Sequence, residues 1–407
     1  MTSKQIDILV IGGGAAGLTL SVLLGQAGLS VHVVDPAPPK PLKDTPASGR
    51  TVALMNDSMN IIKAAGVWEA LAERSAPLQT MRIIDISRPV HDPVRLEFPA
   101  SDLGFEQFGY NIPGGYLRAA LYEAAQAQEN ITIHKAALES YVVEDGRVSA
   151  RLDNGTDVEA RLIVGADGRA SKVRETAGIG TAKREYDQSA ITCLINHSHA
   201  HENVSTEFHK QDGPLAIVPL PGNQSSVVWV ETRARAEELM GLKPSDFESA
   251  LQEKMQDLLG GLTLETPPES WPLCCIKSKA LIAPRTALIA ETAHVMSPIT
   301  AQGLNLSLRD VAALAETLVD GARLGLDIGS AGVLNRYAKR RRLDIETRVF
   351  GVDSINRAVS SHSKTLKTAR RAGLKFLEKV APAKYLAMQT GLTPHMDQGR
   401  LAKGDAL

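Results

Sequence analysis

The hydrophobic pattern of the first thirty-five residues changes period twice. Residues 6–11 (IDILVI) form an almost unbroken apolar run, which predicts a strand covered on both faces in a parallel sheet. After GGGAAG at 12–17 comes a helical pattern closed by Gly28, and then LSVHVVD, a second short strand ending on Asp35. Two later segments repeat the form. LIVGADG at 162–168 and ALIAE at 287–291 are short apolar strands ending on acids, Asp167 and Glu291, each ahead of a helix-like segment. Residues 146–164 alternate in period two around Asn154-Gly155, a hairpin signal. Residues 214–232 read as strand, turn and strand with Gly222-Asn223 in the loop. The stretch after Gly303, NLSLRDVAALAETLVDGARL, has the apolar spacing of a helix packed on a sheet. From Ile8 to Val34 there is no Asp, Glu, Lys or Arg, which invites a membrane-span reading; the glycines at 12–14, 17, 25 and 28 and the changing period argue for strand-turn-helix-strand instead.

Composition narrows the class. The 407 residues suffice for two or three domains, and 43% hydrophobic with 22% charged residues is ordinary globular usage. A formal net charge of −1 argues against a nucleic-acid binder, and 4% aromatics leave little for a stacking platform. Cys193, Cys274 and Cys275 fit no metal-site spacing and read as reduced thiols of a cytoplasmic protein, and the N-terminus carries no secretory signal pattern.

The candidate chemistry starts at the glycines. Gly12, Gly14 and Gly17 stand in G-x-G-x-x-G spacing with Ala15 and Ala16 between them. Gly12 permits the tight turn, Gly14 lets a pyrophosphate approach the backbone, and Gly17 lets helix and strand pack. The helix start offers free N–H groups and a positive dipole end, and Asp35 is placed to accept from an adenosine ribose. This motif alone does not separate FAD from NAD. Three acid-tipped strand ends around one fingerprint favour a single long cofactor touched at several points, which is FAD. Asp167 admits two readings, a cofactor contact or the N-cap of the following helix. The helix after Gly303 would present N–H donors to an electron-rich ring.

Taken in order, these motifs resemble those of the flavoprotein aromatic hydroxylases (class A FAD monooxygenases), and within them the ubiquinone-biosynthesis hydroxylases. The resemblance is carried by GGGAAG with Asp35, SGRTVALMNDSMNIIKAAGVW at 48–68, FGYNIPGGYLRAAL at 108–121, LIVGADGRASKVRETAGI at 162–179, DGPLAIVPLPG at 212–222 and LIAETAHVMSPITAQGLNLSLRD at 288–310. It implies that Gly12, Gly14 and Gly17 cradle the ADP pyrophosphate, that Asp35 holds the ribose, and that Arg50 lies near the FAD phosphates. It implies that Asp167 and Gly168 contact FAD and NAD(P)H pyrophosphates, that Glu291 contacts the ribityl chain, and that Pro298 and the Gln302, Gly303, Leu304 and Asn305 backbone face the flavin ring. Two departures stand out. The family pattern Gly-Asp is Ala290-Glu291 here, and a glycine of the later pattern is Ala301, which loses freedom at positive φ.

The implied activity is FAD-dependent hydroxylation of the aromatic ring of a polyprenyl-phenol in ubiquinone biosynthesis, with NAD(P)H or another donor as a transient reductant. The chemistry is flavin-borne, so no catalytic side chain is named and no metal is expected. Two other readings stay open: another flavin oxidoreductase on an aromatic or isoprenoid substrate, and a catalytically impaired relative serving a quinone-synthesis complex as a binding component. The expected fold is α/β, a Rossmann-like FAD-binding domain (1–77, 100–188 and 272–345) interleaved with an antiparallel-sheet substrate domain (78–99 and 189–271), followed by a helical C-terminal region (346–407). His197, His199 and His201, with His209 nearby, alternate in a spacing that resembles a metal-ligand layout on a strand; a polar strand face or a loop is the simpler reading. Residues 336–384 hold fourteen Lys/Arg against four Asp/Glu. They predict helices with a solvated basic face, or peripheral attachment to the anionic inner face of a membrane. The tail GRLAKGDAL is expected to fray.

Overall fold

The computed structural model describes residues 5–86, 94–210, 213–360, 363–392 and 398–407. Residues 87–93 of the expected substrate domain lie outside it, as do 361–362 and 393–397 of the C-terminal region and the side chains of Leu366 and Ala369.

The run IDILVI becomes the centre of an eight-stranded sheet. Strand Ile6–Ile11 pairs in parallel with Val31–Val34 on one side and Asp157–Gly165 on the other, and the latter pairs in parallel with Thr286–Leu288. Alternation explains the unbroken apolar run. Ile8 and Val10 join the core beneath helices Ala15–Gln26 and Gln302–Arg323, while Leu9 and Ile11 join a second core with Leu138, Tyr141, Val148 and Leu152. That second layer is an antiparallel meander, Leu138–Glu144 and Arg147–Leu152, joined to Asp157–Gly165 by the turn in which Gly155 takes φ +85°. Each such fully buried side chain contributes about 1.5–3 kcal/mol, so a strand buried on both faces anchors the whole body.

The second body is a nine-stranded sheet in which Thr181–His197 is the long central strand. Helices Arg233–Met240 and Pro244–Met255 cover one face with Ala236, Leu239, Phe247 and Leu251 packed on Ile191, Cys193, Val227 and Trp229. One pair, Val204–His209 with Thr80–Asp85, is parallel; otherwise the sheet is antiparallel. It takes in 181–188 and 272–278, which the expected boundaries gave to the FAD-binding domain, because Thr181–His197 and Glu269–Ser278 pair continuously apart from one bulge. The two bodies meet where Thr51 Oγ1 donates to Ser226 Oγ at 2.7 Å and Asn111 Nδ2 donates to Pro219 O at 2.9 Å.

The C-terminal region is helical: Ala331–Val359, Lys364–Lys379, Ala381–Leu392 and Gly399–Lys403. Two expectations there are corrected. The basic run is not uniformly wet, because Arg341 is buried and the half-buried Arg340 pairs with Glu316 at 2.7 Å. The tail does not fray either. Leu401 and Ala402 are buried, Leu401 N–H donates to Glu316 Oε1 at 3.0 Å, and Asn60 Nδ2 donates to Ala402 O at 2.9 Å. Two apolar residues and these two polar anchors outweigh the short segment's chain entropy, which composition alone did not reveal. Among the described residues, no helix is long and apolar enough to cross a membrane.

Candidate cofactor site

The glycine turn has the geometry its spacing requires. Gly12 sits at φ +111°, and a Cβ there would lie 2.2 Å from Ala166 O. At Gly17 a Cβ would lie 2.0 Å from Gly12 O, so strand, turn and helix close up only with hydrogen at these positions. Gly14 differs: a Cβ there would meet nothing within 4 Å, so its open side is free for a ligand. It is the N-cap of Ala15–Gln26 and has no side-chain cap, and the first intrahelical bond runs from Leu18 N–H to Gly14 O at 2.9 Å. The N–H groups of Ala15, Ala16 and Gly17 therefore lack intrahelical acceptors, which suits an anion.

Asp35 folds back on this turn. Its Oδ2 accepts from Gly13 N–H at 2.7 Å and its Oδ1 from Ala37 N–H at 2.8 Å. Arg118, on helix Gly114–Gln126, completes the clasp by donating to Gly13 O at 2.7 Å and lying 3.2 Å from Asp35 Oδ2. Arg118 was not among the residues singled out from the sequence; it lies inside the FGYNIPGGYLRAAL motif, and only the fold brings it to the turn. Arg50 stacks its guanidinium over Trp271 of the second sheet at 4.7 Å. His32 and His134, on neighbouring strands that lead to Asp35, approach at 3.0 Å. Burial, and then the partner imidazole, push His32 down to about 4, and burial lowers His134 as well.

At the second strand end, Asp167 caps the following helix. Its Oδ2 accepts from Lys172 and Val173 N–H at 2.8 and 3.2 Å, and its Oδ1 accepts from Ser171 Oγ at 2.6 Å and Thr292 Oγ1 at 3.1 Å. Gly168, at φ +82°, donates its N–H to the same Thr292 hydroxyl at 3.1 Å. The capping reading thus describes the bonds of Asp167, and Thr292 ties the second strand end to the third.

At the third, Glu291 is half-exposed beside Arg169 at 3.7 Å. Ala290 and Ala301 both adopt left-handed backbone, at φ +56° and +51°, the two positions where the resemblance placed glycines. Helix Gln302–Arg323 begins just after Pro298 and a short turn, with no side-chain cap at Ala301. A Cβ on Gly303 would meet nothing within 4 Å, while Leu304 is half-buried and Gln302 buried. Asn305 fixes the start of the helix, its Nδ2 donating to Ala301 O and Ala53 O at 2.8 Å each and its Oδ1 accepting from Met55 N–H at 2.9 Å. Two uncapped helix starts with open glycines, bridged by the strand ends, fit a long anionic cofactor with an electron-rich ring.

Beneath the third strand end lies a buried charge cluster. Asp310 accepts from Ala290 N–H at 3.1 Å, His294 Nε2 at 2.6 Å and Arg341 Nε at 2.7 Å. Burial alone would raise its pKa, but His294 and Arg341 hold it below the usual carboxylate range. Asp344 joins Arg341 to Arg309 at 2.7 and 2.8 Å.

The histidines of the second sheet are engaged elsewhere. His197 contacts His199 O at 2.8 Å and Ser225 Oγ at 3.0 Å, His201 contacts Leu220 O at 2.8 Å, and His209 pairs with Glu207 at 2.8 Å. Among the described residues no group of three or more His, Cys, Asp or Glu is disposed to hold a metal ion.

Comparison with known proteins agrees with this geometry. A family model described as the FAD binding domain matches residues 5–350. The chain is 34% identical over 387 residues to a ubiquinone hydroxylase, UbiL, of Rhodospirillum rubrum, covering 95% of this chain and 89% of that one. It is 29% identical to the 3-demethoxyubiquinol 3-hydroxylase of Escherichia coli, covering 96% of this chain and all of the relative. Among solved structures, p-nitrophenol 4-monooxygenase PnpA of Pseudomonas putida superposes with a TM-score of 0.78 at 17% identity, covering 96% of this chain and 99% of that one, a likeness of fold.

Proposed function

Because the chain belongs to the FAD binding domain family of flavoprotein hydroxylases, we propose that it hydroxylates the aromatic ring of a polyprenyl-phenol intermediate in ubiquinone biosynthesis, as an FAD-dependent monooxygenase. The observation that carries this is the uncapped start of Gln302–Arg323, with open space at Gly303, tied through Asn305 to the strand Thr51–Met55 that meets the second sheet at Ser226.

FAD, when bound, supplies the electron transfer and oxygen activation. This chain supplies the rest. The Gly12 to Gly17 turn and the Ala15–Gln26 dipole hold the pyrophosphate, and Asp35, positioned by Arg118, receives the ribose. Glu291 reaches the ribityl chain with one methylene more than an aspartate. The N–H groups at Gly303 and Leu304 favour negative charge on the ring's pyrimidine side. Apolar strands of the second sheet would wall the ring to be hydroxylated and keep water from it. NAD(P)H or another donor would act by transient contact.

Exposed Phe376, Tyr385 and Leu386 beside Lys375 and Lys379 support peripheral attachment to an anionic membrane surface, where a polyprenylated substrate resides. Vesicles with anionic lipid should retain the protein at low salt and release it at high salt; indifference to lipid charge would overturn that attachment.

The function is tested by the visible spectrum of the purified protein before and after FAD addition and desalting, followed by product analysis with a short-chain polyprenyl-phenol and NAD(P)H. A retained flavin spectrum and a product heavier by one oxygen are expected. A protein that cannot be loaded with flavin would overturn the reading in favour of a non-catalytic component.

A further inference from the structure

We propose that Asp310 is a positioning residue for the cofactor, acting through the backbone of Ala290; this rests on the flavin reading above. Ala290 stands immediately before Glu291 and holds φ +56°, a conformation an L side chain adopts at a cost. Strain of that kind persists only where the surroundings over-determine it. Here the over-determination is visible. Asp310, fully buried on helix Gln302–Arg323, accepts the Ala290 N–H at 3.1 Å. Its two oxygens are themselves fixed, by His294 at 2.6 Å on the one that holds Ala290 and by Arg341 at 2.7 Å on the other. A charged acceptor makes the stronger class of hydrogen bond, and this one is locked in direction by two further donors. The preceding residues are pinned too, since Tyr337 donates its hydroxyl to Leu288 O at 2.7 Å from the same helix that carries Arg341. The result is a rigid turn that presents Glu291 outward while its flanking backbone is held from below. A glycine at this position would need no such latch; an alanine does.

The dependence is directional, which makes it separable from a general loss of packing. If Asp310 works by holding the left-handed backbone of Ala290, then relaxing that backbone with glycine removes the need for the latch. The experiment measures the FAD dissociation constant by visible titration, and the apoprotein Tm, for wild type, A290G, D310N and the double variant. Expected are FAD binding at least as tight as wild type in A290G, about tenfold weaker binding in D310N, and recovery to within about threefold of wild type in the double variant. Should D310N not fold alone, folding and FAD binding regained by adding A290G count as the same rescue. A double variant that fails as D310N fails, in folding or in FAD affinity, overturns the proposal while leaving the function intact. Wild-type protein that binds no FAD overturns both.

Discussion

The turn at 12–17 and the segment 290–303 solve the same geometric problem by opposite means. The turn at 12–17 uses glycine wherever the backbone is crowded or twisted, so its conformation costs little in the folded state, and Asp35 and Arg118 clasp a shape that glycine already permits. The segment 290–303 places alanine at two left-handed positions and holds each with a polar side chain of the following helix, Asp310 at Ala290 and Asn305 at Ala301. The first turn is specified locally. The second is held by residues twenty and four positions further along the chain, and its Ala290 latch depends on the tertiary structure staying closed.

The sharpest way to break this comparison is G12A. A Cβ 2.2 Å from Ala166 O on a backbone at φ +111° combines a clash with strain, and should cost about 3 kcal/mol or more. Thermal unfolding should show a large fall in Tm, and flavin titration should show no measurable binding. Next in size is R118A, which removes the clasp on Asp35 and Gly13 O. It should weaken FAD binding by about tenfold, or roughly 1–2 kcal/mol, with little change in the apoprotein Tm.

Acid separates the two regions without mutation. His32, at about 4, and His134, also lowered, bind protons more readily when the chain is unfolded. The stability they contribute is therefore complete above pH of about 6.5 and is lost as pH falls toward about 4. Asp310 and Asp344 are lowered in the folded protein, so their contribution is present above pH of about 4 and is lost only below it. Tm measured against pH should fall in two stages, and H32L should flatten the first stage alone. The smallest effect is expected of A301G. Relief of about 1–2 kcal/mol of left-handed strain, set against about 0.5–1 kcal/mol of added unfolded-state entropy, should raise stability slightly, read as a small rise in denaturant midpoint.

The sequence by itself determined the doubly covered strand Ile6–Ile11, because only burial on both faces calls for IDILVI. It determined the glycine turn, because no other residue fits, and the Asn154-Gly155 hairpin, because Gly155 takes the positive φ the turn needs. These are local choices dictated by chain sterics and hydrophobic period. Tertiary structure alone decided that Arg118 reaches the turn and that Arg341 is buried rather than solvated. It also decided that the tail docks on Asn60 and Glu316 instead of fraying, and that Asp310 lies under Ala290. A charged side chain finds its partner across tens or hundreds of residues, and neither period nor composition records which partner the fold will bring.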